Sequence, residues 1–351
     1  MLQSITPDRM GFFFYRLGTV LKSFNALRKL PQQKVDAFMN SYNIYNHDWV
    51  NEEDLIRDMG PDYYAEVQKK LVDYYSVLNH LCAIGQVEKM YIPPAMDLSK
   101  SIIENQNLFE RRMAKDLGLQ PGNKALDIGC GRGRIASHMA TVTGAHVTGV
   151  NIDLDQLDSA KRFIRAHKLE QQCHFQRGDL NDLPFPFPEN HFDGIYQVQV
   201  FSLAKSLPKL FAEVYRMLKP GGKFACLDWM SLDAYDASNP HHANLMKRIK
   251  PLIGAIGTPS VHTYAEALRS AGFKILVNEN ASIDGLQAPL IDKADRFYTG
   301  LSRWVYRLTE WKVLPAHFRV LFDRLTRDGQ AFVEADRMRL VTTSHYIVAQ
   351  K

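Results

Sequence analysis

The sequence contains few cysteines: four in 351 residues, with no CxxC pair among them. Cys82, Cys130, Cys173 and Cys226 therefore predict neither a zinc site nor a disulfide framework, and they are typical of a reducing compartment. The chain also lacks a run of about 18 apolar residues, and "MLQSITPDRM" is not a charged segment followed by an apolar one. We therefore expect no membrane-spanning helix, no signal peptide and a cytoplasmic location.

Charge of one sign does not dominate the chain. The 43 basic and 38 acidic residues give a net charge of +5, and Lys and Arg are scattered rather than clustered. A nucleic-acid partner is therefore not indicated. The chain is 46% hydrophobic and 23% charged, which is ordinary for a globular protein with a sizeable core.

One segment contains no acidic residue at all. Residues 10–30, "MGFFFYRLGTVLKSFNALRKL", are apolar and basic. An amphipathic helix of this kind lies in a bilayer interface, and a terminal helix packed on its own domain has the same pattern. We favour the packed helix and keep a peripheral contact with the endoplasmic reticulum or another membrane as the alternative.

The hydrophobic pattern divides the chain into four parts. Residues 1–95 are predicted to form a helical N-terminal cap, and residues 96–281 alternate short apolar strands with helices. That alternation predicts an α/β fold with a mostly parallel seven-stranded sheet and helices on both faces. Residues 282–344 form a helical aromatic-rich insert and 345–351 a closing strand. We expect the cap and the insert to form a helical lid around an apolar ligand.

The first strand of the core runs into a glycine loop, "LDIGCGRGR". A dinucleotide loop has the spacing GxGxxG, whereas Gly129, Gly131 and Gly133 have the spacing GxGxG. A P-loop would require GKS or GKT, which is absent. The loop is therefore typical of neither a dinucleotide site nor a P-loop.

The surroundings of the loop are more specific. Asp127 lies two places before Gly129, Asp179 lies in "GDLNDLPFP" after the third strand, and "MLKPGGKF" leads into the fifth strand. In this order and spacing the set resembles the class I S-adenosylmethionine-dependent methyltransferases. Their cofactor carries no phosphate, and its close approach to the backbone requires glycine.

The resemblance implies S-adenosylmethionine as the cofactor and a Rossmann-like class I sheet. The ammonium group of S-adenosylmethionine needs acidic acceptors near the loop. Its ribose hydroxyls need an acceptor at the end of the second strand, and its adenine amino group needs an acceptor after the third strand. Asp127, Asn151 and Asp179 stand at those places, with Asp153 near Asn151. The full set of expected cofactor contacts is Gln106, Asp127, Gly129, Gly131, Asn151, Ile152, Gln156, Asp179, Leu180 and Gln197.

Four stretches of the sequence point to one group within this family. "TGAHVTGVNID", "DLPFPFPENHFDGIY", "EVYRMLKPGGKFACLDW" and "DAYDASNPHH" are similar to the sterol 24-C-methyltransferases, over roughly residues 70–280. The resemblance implies methyl transfer to a carbon of a sterol or related isoprenoid lipid. A phospholipid or another prenyl acceptor is an alternative, and so is a protein that binds S-adenosylmethionine without transferase activity.

The sequence departs from that group where a base is needed. The YEYGWG motif is replaced by "YYSVLNHLCAIG", and the group's glutamate and histidine after the fourth strand are replaced by Gln199 and Leu203. Methylation of an alkene makes a carbocation and then requires a base, which glutamine is not. An enol next to a steroid ketone would supply its own nucleophile. We expect Gln199 at the boundary between cofactor and substrate, and Tyr75 and His80 as acid–base candidates.

Two arginines and three histidines give weaker indications of a role in the site. Arg132 and Arg134 either contact the cofactor carboxylate or are solvated, and we favour the second interpretation. His241, His242 and His262 lack the spacing of a metal site, so no metal is expected. His242 is expected to occupy a turn after the fifth strand.

Overall fold

The computed structural model describes residues 7–46, 57–85 and 87–351, with the side chains of 7–17, 46, 61 and 64 not described. The chain forms two compact units. The helical unit contains the described residues up to Met90 together with 295–328, and the sheet unit contains 91–294 together with 329–351. The sequence predicts boundaries at 95/96, 281/282 and 344/345, whereas residues 91–95 and both ends of the insert, 282–294 and 329–344, belong to the sheet unit.

The helical unit is built around a cluster of aromatic rings. Its elements are helices α1 (Pro7–Arg28), α2 (Gln32–Ser41) and α3 (Tyr63–Ile84), most of α10 (Ala288–Glu310), α11 (His317–Thr326), and the 3-10 turns Tyr42–Asn46 and Gly60–Asp62. Both α1 and α2 pack on α3. Tyr74 is fully buried and contacts the rings of Phe38, Tyr42 and Tyr45 at centroid distances of 5.4 to 6.2 Å. Aromatic packing of this kind stabilises the unit without a sheet.

The sheet unit contains seven strands, as the sequence predicts. They are β1 (Lys124–Ile128), β2 (His146–Asn151), β3 (Cys173–Arg177), β4 (Phe192–Val198), β5 (Leu218–Ser231), β6 (Lys274–Asn280) and β7 (Val341–Gln350). Their order is β3-β2-β1-β4-β5-β7-β6, with β7 antiparallel to both of its neighbours and the other pairs parallel. Strand order reverses between β1 and β4, which is where such sheets bind ligands.

Helices cover both faces of the sheet. They are α4 (Ile102–Leu117), α5 (Arg134–Thr143), α6 (Leu154–Ala166), α7 (Leu207–Met217), α8 (Pro240–Ile253), α9 (Val261–Ser270) and α12 (Gly329–Arg337), with a 3-10 turn at Phe201–Leu203 and another at Ile283–Gly285. One core cluster contains Phe109, Val147 and Tyr346, and a second contains Phe211, Phe224 and Ile347. Alternate residues of β7 contribute to the two clusters, because successive strand residues point to opposite faces.

Local signals explain most helix ends. Ser101 and Glu104 form a capping box at the start of α4, and Gly118 ends it in the left-handed conformation, with φ +70°. Asp153 caps α6 by accepting from the backbone N–H groups of Asp155 and Gln156. Helix α8 was not predicted, because the sequence after Trp229 has no regular hydrophobic spacing, although Asn239 caps this helix as well.

No helix in the described ranges combines the length and the apolar character needed to cross a bilayer. Within 10–30, the side chains of 10–17 lie outside the description; Ser23 and Leu27 are buried and Leu21 is exposed. The four cysteines are free thiols.

Candidate active site

The glycine loop forms a tight backbone cradle at the end of β1. Gly129, Gly131 and Gly133 have φ of +79°, +51° and +69°. The backbone N–H groups of Gly129 and Cys130 both donate to the carbonyl of Val150, at 2.9 and 3.0 Å. A Cβ on Gly129 would lie 2.5 Å from Val200, so only glycine fits here.

Two of the glycines differ in what a side chain would meet. A Cβ on Gly133 would lie 2.5 Å from the ring of Phe175 and 2.8 Å from Ala160, inside the core. A Cβ on Gly131 would meet only the side-chain Oε1 of Gln156, at 3.0 Å. Gly131 therefore leaves room on the open side of the loop, next to a flexible polar side chain.

The second strand ends in an unpaired amide. Asn151 is the last residue of β2, and its Nδ2 is buried without a hydrogen-bond partner. The half-buried Ile152 follows, and then Asp153, whose Oδ2 accepts from Gln156 Nε2 at 3.1 Å. Asp153 is thus engaged as a helix cap, and Asn151 is the residue with a donor left over for a ligand.

Asp127 is a buried carboxyl next to the loop. It is 2% exposed, and its Oδ2 has no hydrogen-bond partner. Burial raises its pKa to about 8, and the nearby Glu110 carboxyl acts in the same direction. A cationic ligand group at Oδ2 would favour the ionised form and satisfy the unpaired atom.

The residues after β3 form a turn at the same edge of the sheet. Asp179 is half-buried, and its Oδ1 accepts from the backbone N–H of Asn181 at 2.9 Å. Asn181 Nδ2 in turn donates to the carbonyl of Leu203 at 3.1 Å. Leu180 packs against the second core cluster. The turn is therefore fixed against the segment that follows β4.

A buried polar cluster lies under the loop, and the sequence analysis missed most of it. Gln106 of α4 donates to the carbonyl of Tyr91 at 3.0 Å, and the Tyr91 hydroxyl donates to Glu110 Oε1 at 2.8 Å. The other oxygen of Glu110 bonds to Nδ1 of His138 on α5. Only Gln106 was predicted, because these partners come from three distant stretches of sequence.

Gln197 does not lie at the open side of the site. The side chain is fully buried in β4; its Nε2 donates to Asp228 Oδ2 at 2.8 Å, and its Oε1 accepts from the N–H of Val200 at 2.9 Å. Asp228 also accepts from the Tyr264 hydroxyl. Both amide atoms of the side chain are therefore bound inside the protein, and the contact of Gln197 with the cofactor stays a prediction.

Gln199 holds two other segments of the sheet unit. Its Oε1 accepts from the N–H of Ile92 at 3.1 Å, and its Nε2 donates to the carbonyls of Ile92 at 2.7 Å and Thr343 at 2.8 Å. Its own backbone has φ +55°, which is uncommon for a residue other than glycine. The side chain expected at the boundary between cofactor and substrate is thus bound to backbone on every polar atom.

Gln287 forms a companion clamp. Its Nε2 donates to the carbonyl of Pro93 at 2.9 Å, and its Oε1 accepts from the N–H and the hydroxyl of Thr343, both at 3.0 Å. Gln199 and Gln287 therefore hold Ile92 and Pro93 beside β7 from two sides. The same segment begins at Tyr91, whose carbonyl accepts from Gln106, so it is bonded to the polar cluster under the loop.

Tyr75 and His80 lie on α3 in the helical unit. Tyr75 packs edge-on against Tyr74 at a centroid distance of 5.0 Å, and His80 Nδ1 lies 3.4 Å from Ser23 Oγ. The other expected site residues belong to the sheet unit. The acid–base roles of Tyr75 and His80 remain predictions.

The two loop arginines differ from the solvated side chains that we favoured. Arg134 is buried, its guanidinium carbon lies 3.8 Å from the centroid of Phe163, and it donates to the carbonyl of Arg132 at 2.8 Å. Arg132 lies 3.3 Å from Ser159 Oγ. Both arginines therefore support the loop from below.

The three histidines have separate partners. His241 bonds to Glu334 at 2.9 Å, His262 bonds to Glu266 at 3.0 Å, and His242 accepts from the N–H of Asp236 at 3.2 Å, at the start of α8. Among the described residues, no group of three or more His, Cys, Asp or Glu side chains is placed to hold a metal ion.

Comparisons with known proteins agree with this architecture. Residues 126–226 match a family described as a methyltransferase domain. The chain is 27% identical to the sterol 24-C-methyltransferase ERG6B of Gibberella zeae, over 95% of this chain and 91% of that protein. It is 28% identical to the cycloartenol-C-24-methyltransferase of Arabidopsis thaliana, over 79% of this chain and 85% of that protein.

A solved structure shows the same fold. The geranyl diphosphate C-methyltransferase of Streptomyces coelicolor superposes with a TM-score of 0.57 at 16% identity, over 76% of this chain and 92% of that one. The predicted Rossmann-like class I sheet is therefore confirmed.

Proposed function

We propose that this chain, a class I S-adenosylmethionine-dependent methyltransferase that resembles the sterol 24-C-methyltransferases, methylates a carbon atom of a sterol or related isoprenoid lipid. The cradle at the switch between β1 and β4 carries the proposal. It combines three glycines in the left-handed conformation with two buried polar atoms that lack partners, Asp127 Oδ2 and Asn151 Nδ2. S-adenosylmethionine supplies an electrophilic methyl group on sulfur when it is bound.

The residues at the cradle fit that cofactor. Asp127 would receive its ammonium group, because a buried unpaired carboxylate oxygen needs a cationic partner. Asn151 would bond a ribose hydroxyl through the unpaired Nδ2, and the turn at Asp179 and Leu180 would meet the adenine. Gly129 and Gly131 would allow the backbone to approach the cofactor closely. Gln156 and Ile152 would border the same opening.

The apolar acceptor is supported by the relatives rather than by a shaped cavity. Both curated relatives named above are called sterol or cycloartenol methyltransferases. The acceptor is therefore proposed to be an apolar small molecule, and a peripheral contact with a membrane would give access to it. Residues 10–30 were the expected membrane contact, and that role stays a prediction.

The proton-transfer chemistry differs from that of a glutamate-containing site. Gln199 cannot take a proton, and its amide is bound to the backbone of Ile92 and Thr343. A side-chain alkene would need a base elsewhere, for which Tyr75 and His80 stay the proposed candidates. A ketosteroid enol needs no protein base at this position, because its hydroxyl proton can pass to water as the ring ketone forms.

Transfer of labelled methyl groups tests the proposal. The purified chain would be incubated with labelled S-adenosylmethionine and, in separate reactions, a sterol with a side-chain double bond, a 3-keto steroid, a prenylated quinol and an ethanolamine lipid. We expect label in one of the first two. Label only in the quinol or the ethanolamine lipid would contradict the sterol assignment. Cofactor binding with no label in any lipid would support the alternative of a protein that binds S-adenosylmethionine without transferase activity.

A further inference from the structure

Helix α10 presents a line of exposed aromatic side chains. Phe297, Trp304 and Trp311 are 55%, 60% and 67% exposed and are spaced by seven residues, with Trp311 directly after the last helical residue. Seven residues are almost two turns of an α-helix, so Phe297 and Trp304 lie one above the other on one side of the helix. Val313, in the turn that follows, is 56% exposed. We call these four residues the aromatic stripe.

A line of exposed large aromatic side chains on one side of a helix needs a reason. Single exposed leucines are common on protein surfaces, whereas a row of two tryptophans and a phenylalanine marks a surface that meets another phase or partner. The neighbouring aromatic residue Tyr298 is half-buried, and its hydroxyl donates to the carbonyl of Cys82 at 3.3 Å. The helix therefore has a packed side and a separate apolar side that faces outward.

Cations accompany the aromatic stripe. Arg303, Arg307 and Lys312 are exposed, and in the described part of the chain none of them has a carboxylate within ion-pair distance. The guanidinium of Arg307 lies 5.4 Å from the ring centroid of Trp304. The one nearby acid in this stretch, Glu310, is paired with Arg319 at 3.3 Å. The surface is therefore apolar and positively charged at once.

Helix α1 adds another cation at the end of the stripe. Arg28 lines a shallow cavity together with Lys312 and Val313. The adjoining backbone is fixed, because His317 Nε2 contacts the carbonyl of Leu27 at 2.8 Å. Arg28, Lys312 and Val313 thus form one continuous rim.

The chemistry of this surface favours a lipid headgroup region. Tryptophan rings prefer the interface between hydrocarbon and water, and arginine and lysine bind the phosphates of anionic lipids while their stems cover apolar surface. A second copy of this chain would bring its own unpaired cations against these, which costs free energy through like-charge repulsion. An anionic bilayer satisfies both the aromatic rings and the charges.

We propose that the aromatic stripe, with Arg303, Arg307 and Lys312, docks the protein on the surface of an anionic lipid bilayer. The stripe lies on α10 and the turn after it, and Arg28, near the end of the segment 10–30 that the sequence alone suggested, adjoins it. Docking of this kind is peripheral, since the rings reach only the headgroup and upper acyl region. The inference goes beyond the proposed reaction, because binding to a bilayer does not require methyl transfer.

Vesicle co-sedimentation tests the docking without any enzymatic assay. The full chain would be mixed with vesicles of phosphatidylcholine alone and of phosphatidylcholine with phosphatidylserine. We expect binding to the anionic vesicles, weaker binding to the neutral ones, and loss of binding at high salt. Trp304 and Trp311 should shift their fluorescence to shorter wavelength on binding, and Trp304→Ala with Trp311→Ala, which keeps Trp49 and the buried Trp229, should abolish that shift.

Two variants separate the contributions of rings and charges. Trp304→Ala with Trp311→Ala should weaken binding to anionic vesicles about tenfold or more. Arg303→Gln with Arg307→Gln should weaken it about thirtyfold, since each charge near such a surface contributes about a factor of five. The matched control is Arg162→Gln with Arg165→Gln, two exposed arginines on α6, which should bind like the wild type.

Folding is checked separately from docking. All variants should keep the circular dichroism spectrum and the affinity for S-adenosylmethionine of the wild type, because the cradle belongs to the other unit. Leu276→Ala, which removes an exposed apolar side chain from β6, should leave vesicle binding unchanged.

Three results would overturn the inference. One is a wild type that stays in the supernatant with anionic vesicles. Another is a tryptophan variant that binds as tightly as the wild type. The third is a wild type that forms a larger species without lipid and becomes monomeric on Trp304→Ala with Trp311→Ala, which would assign the stripe to a second copy of the chain.

Discussion

The side-chain amide of Gln199 and the backbone of Ile92 form a reciprocal pair of hydrogen bonds. The N–H of Ile92 donates to Oε1 at 3.1 Å, and Nε2 donates back to the carbonyl of Ile92 at 2.7 Å. Nε2 has a second acceptor in the carbonyl of Thr343. Gln199, which the resemblance aligned with a glutamate, is thus a structural clamp in this chain, and an amide fits here because its nitrogen donates to two carbonyls.

The first prediction concerns Gln199→Glu. A carboxylate cannot donate to the two carbonyls and would face them with like partial charge, so we expect a loss of about 1 to 3 kcal/mol in the free energy of unfolding. Methyl transfer should fall rather than rise, since the segment at Ile92 loses its support. Urea unfolding and the rate of labelled methyl transfer measure the two effects.

Gln287→Glu is the matched comparison for that variant. Its amide also donates to a carbonyl, that of Pro93, so a similar loss of stability is expected. A Gln199→Glu protein that is as stable as the wild type and turns over faster would show that the glutamate works as a base here, against the clamp.

A second prediction separates the glycines of the loop. Gly133→Ala would force a Cβ to within 2.5 Å of Phe175 in the core, so we expect a loss of about 3 kcal/mol or more in stability. Gly131→Ala meets only Gln156, so it should lose only the roughly 1 to 2 kcal/mol of left-handed backbone strain, and it should also bind the cofactor more weakly. Urea unfolding and calorimetric titration with S-adenosylmethionine distinguish them.

Gly221→Ala serves as the control for backbone strain alone. Gly221 has φ +78°, and no atom lies within 4 Å of a Cβ placed there, so a loss of about 1 to 2 kcal/mol is expected. If Gly133→Ala were no more destabilising than Gly221→Ala, a side chain at Gly133 would not clash with Phe175 and Ala160 as described.

A third prediction concerns Asp127 and pH. The folded chain raises the pKa of this carboxyl from 3.8 to about 8, so between these values the folded state holds a proton that the unfolded state has lost. The contribution of Asp127 to stability is therefore full below about pH 4 and falls as pH rises towards 8. Asp127→Asn should lose this dependence and be more stable than the wild type at the upper end of the range.

The measurement is urea unfolding of both proteins without cofactor across that range. Asp228 and Asp336, whose pKa values burial raises to about 6, act in the same direction in both proteins and cancel in the difference. A constant difference between wild type and Asp127→Asn at all pH values would mean that Asp127 is ionised in the folded protein.

Much of the sheet unit follows from local sequence patterns. The strands β1 to β5 are compact apolar runs between glycine or polar turns, and the loop after β1 carries its own spacing. The last strand was placed at 345 but begins at Val341, because its polar residues Thr342 to Ser344 do not look like a buried strand. They are buried because Gln287 and Ser282 bond their hydroxyl groups from far along the chain.

The site was only partly predictable for the same reason. Asp127, Asn151 and the glycines could be proposed as cofactor contacts because each lies next to a strand end in the sequence. The clamp at Gln199 and the pairing of Glu110 with His138 join residues 107 and 28 positions apart, and no local spacing encodes such contacts. The chemical character of each side chain could be read from the sequence, whereas its hydrogen-bond partners could be identified only from the folded structure.

The central claim is methyl transfer from S-adenosylmethionine to a carbon atom of a sterol or isoprenoid lipid. Its most direct test uses S-adenosylmethionine with a fully deuterated methyl group and locates the label in the lipid product by mass fragmentation and NMR. We predict a deuterated methyl group bonded to carbon, either on the side chain or on the ring next to the ketone. A label bonded to oxygen or nitrogen, or a product without label, would contradict it.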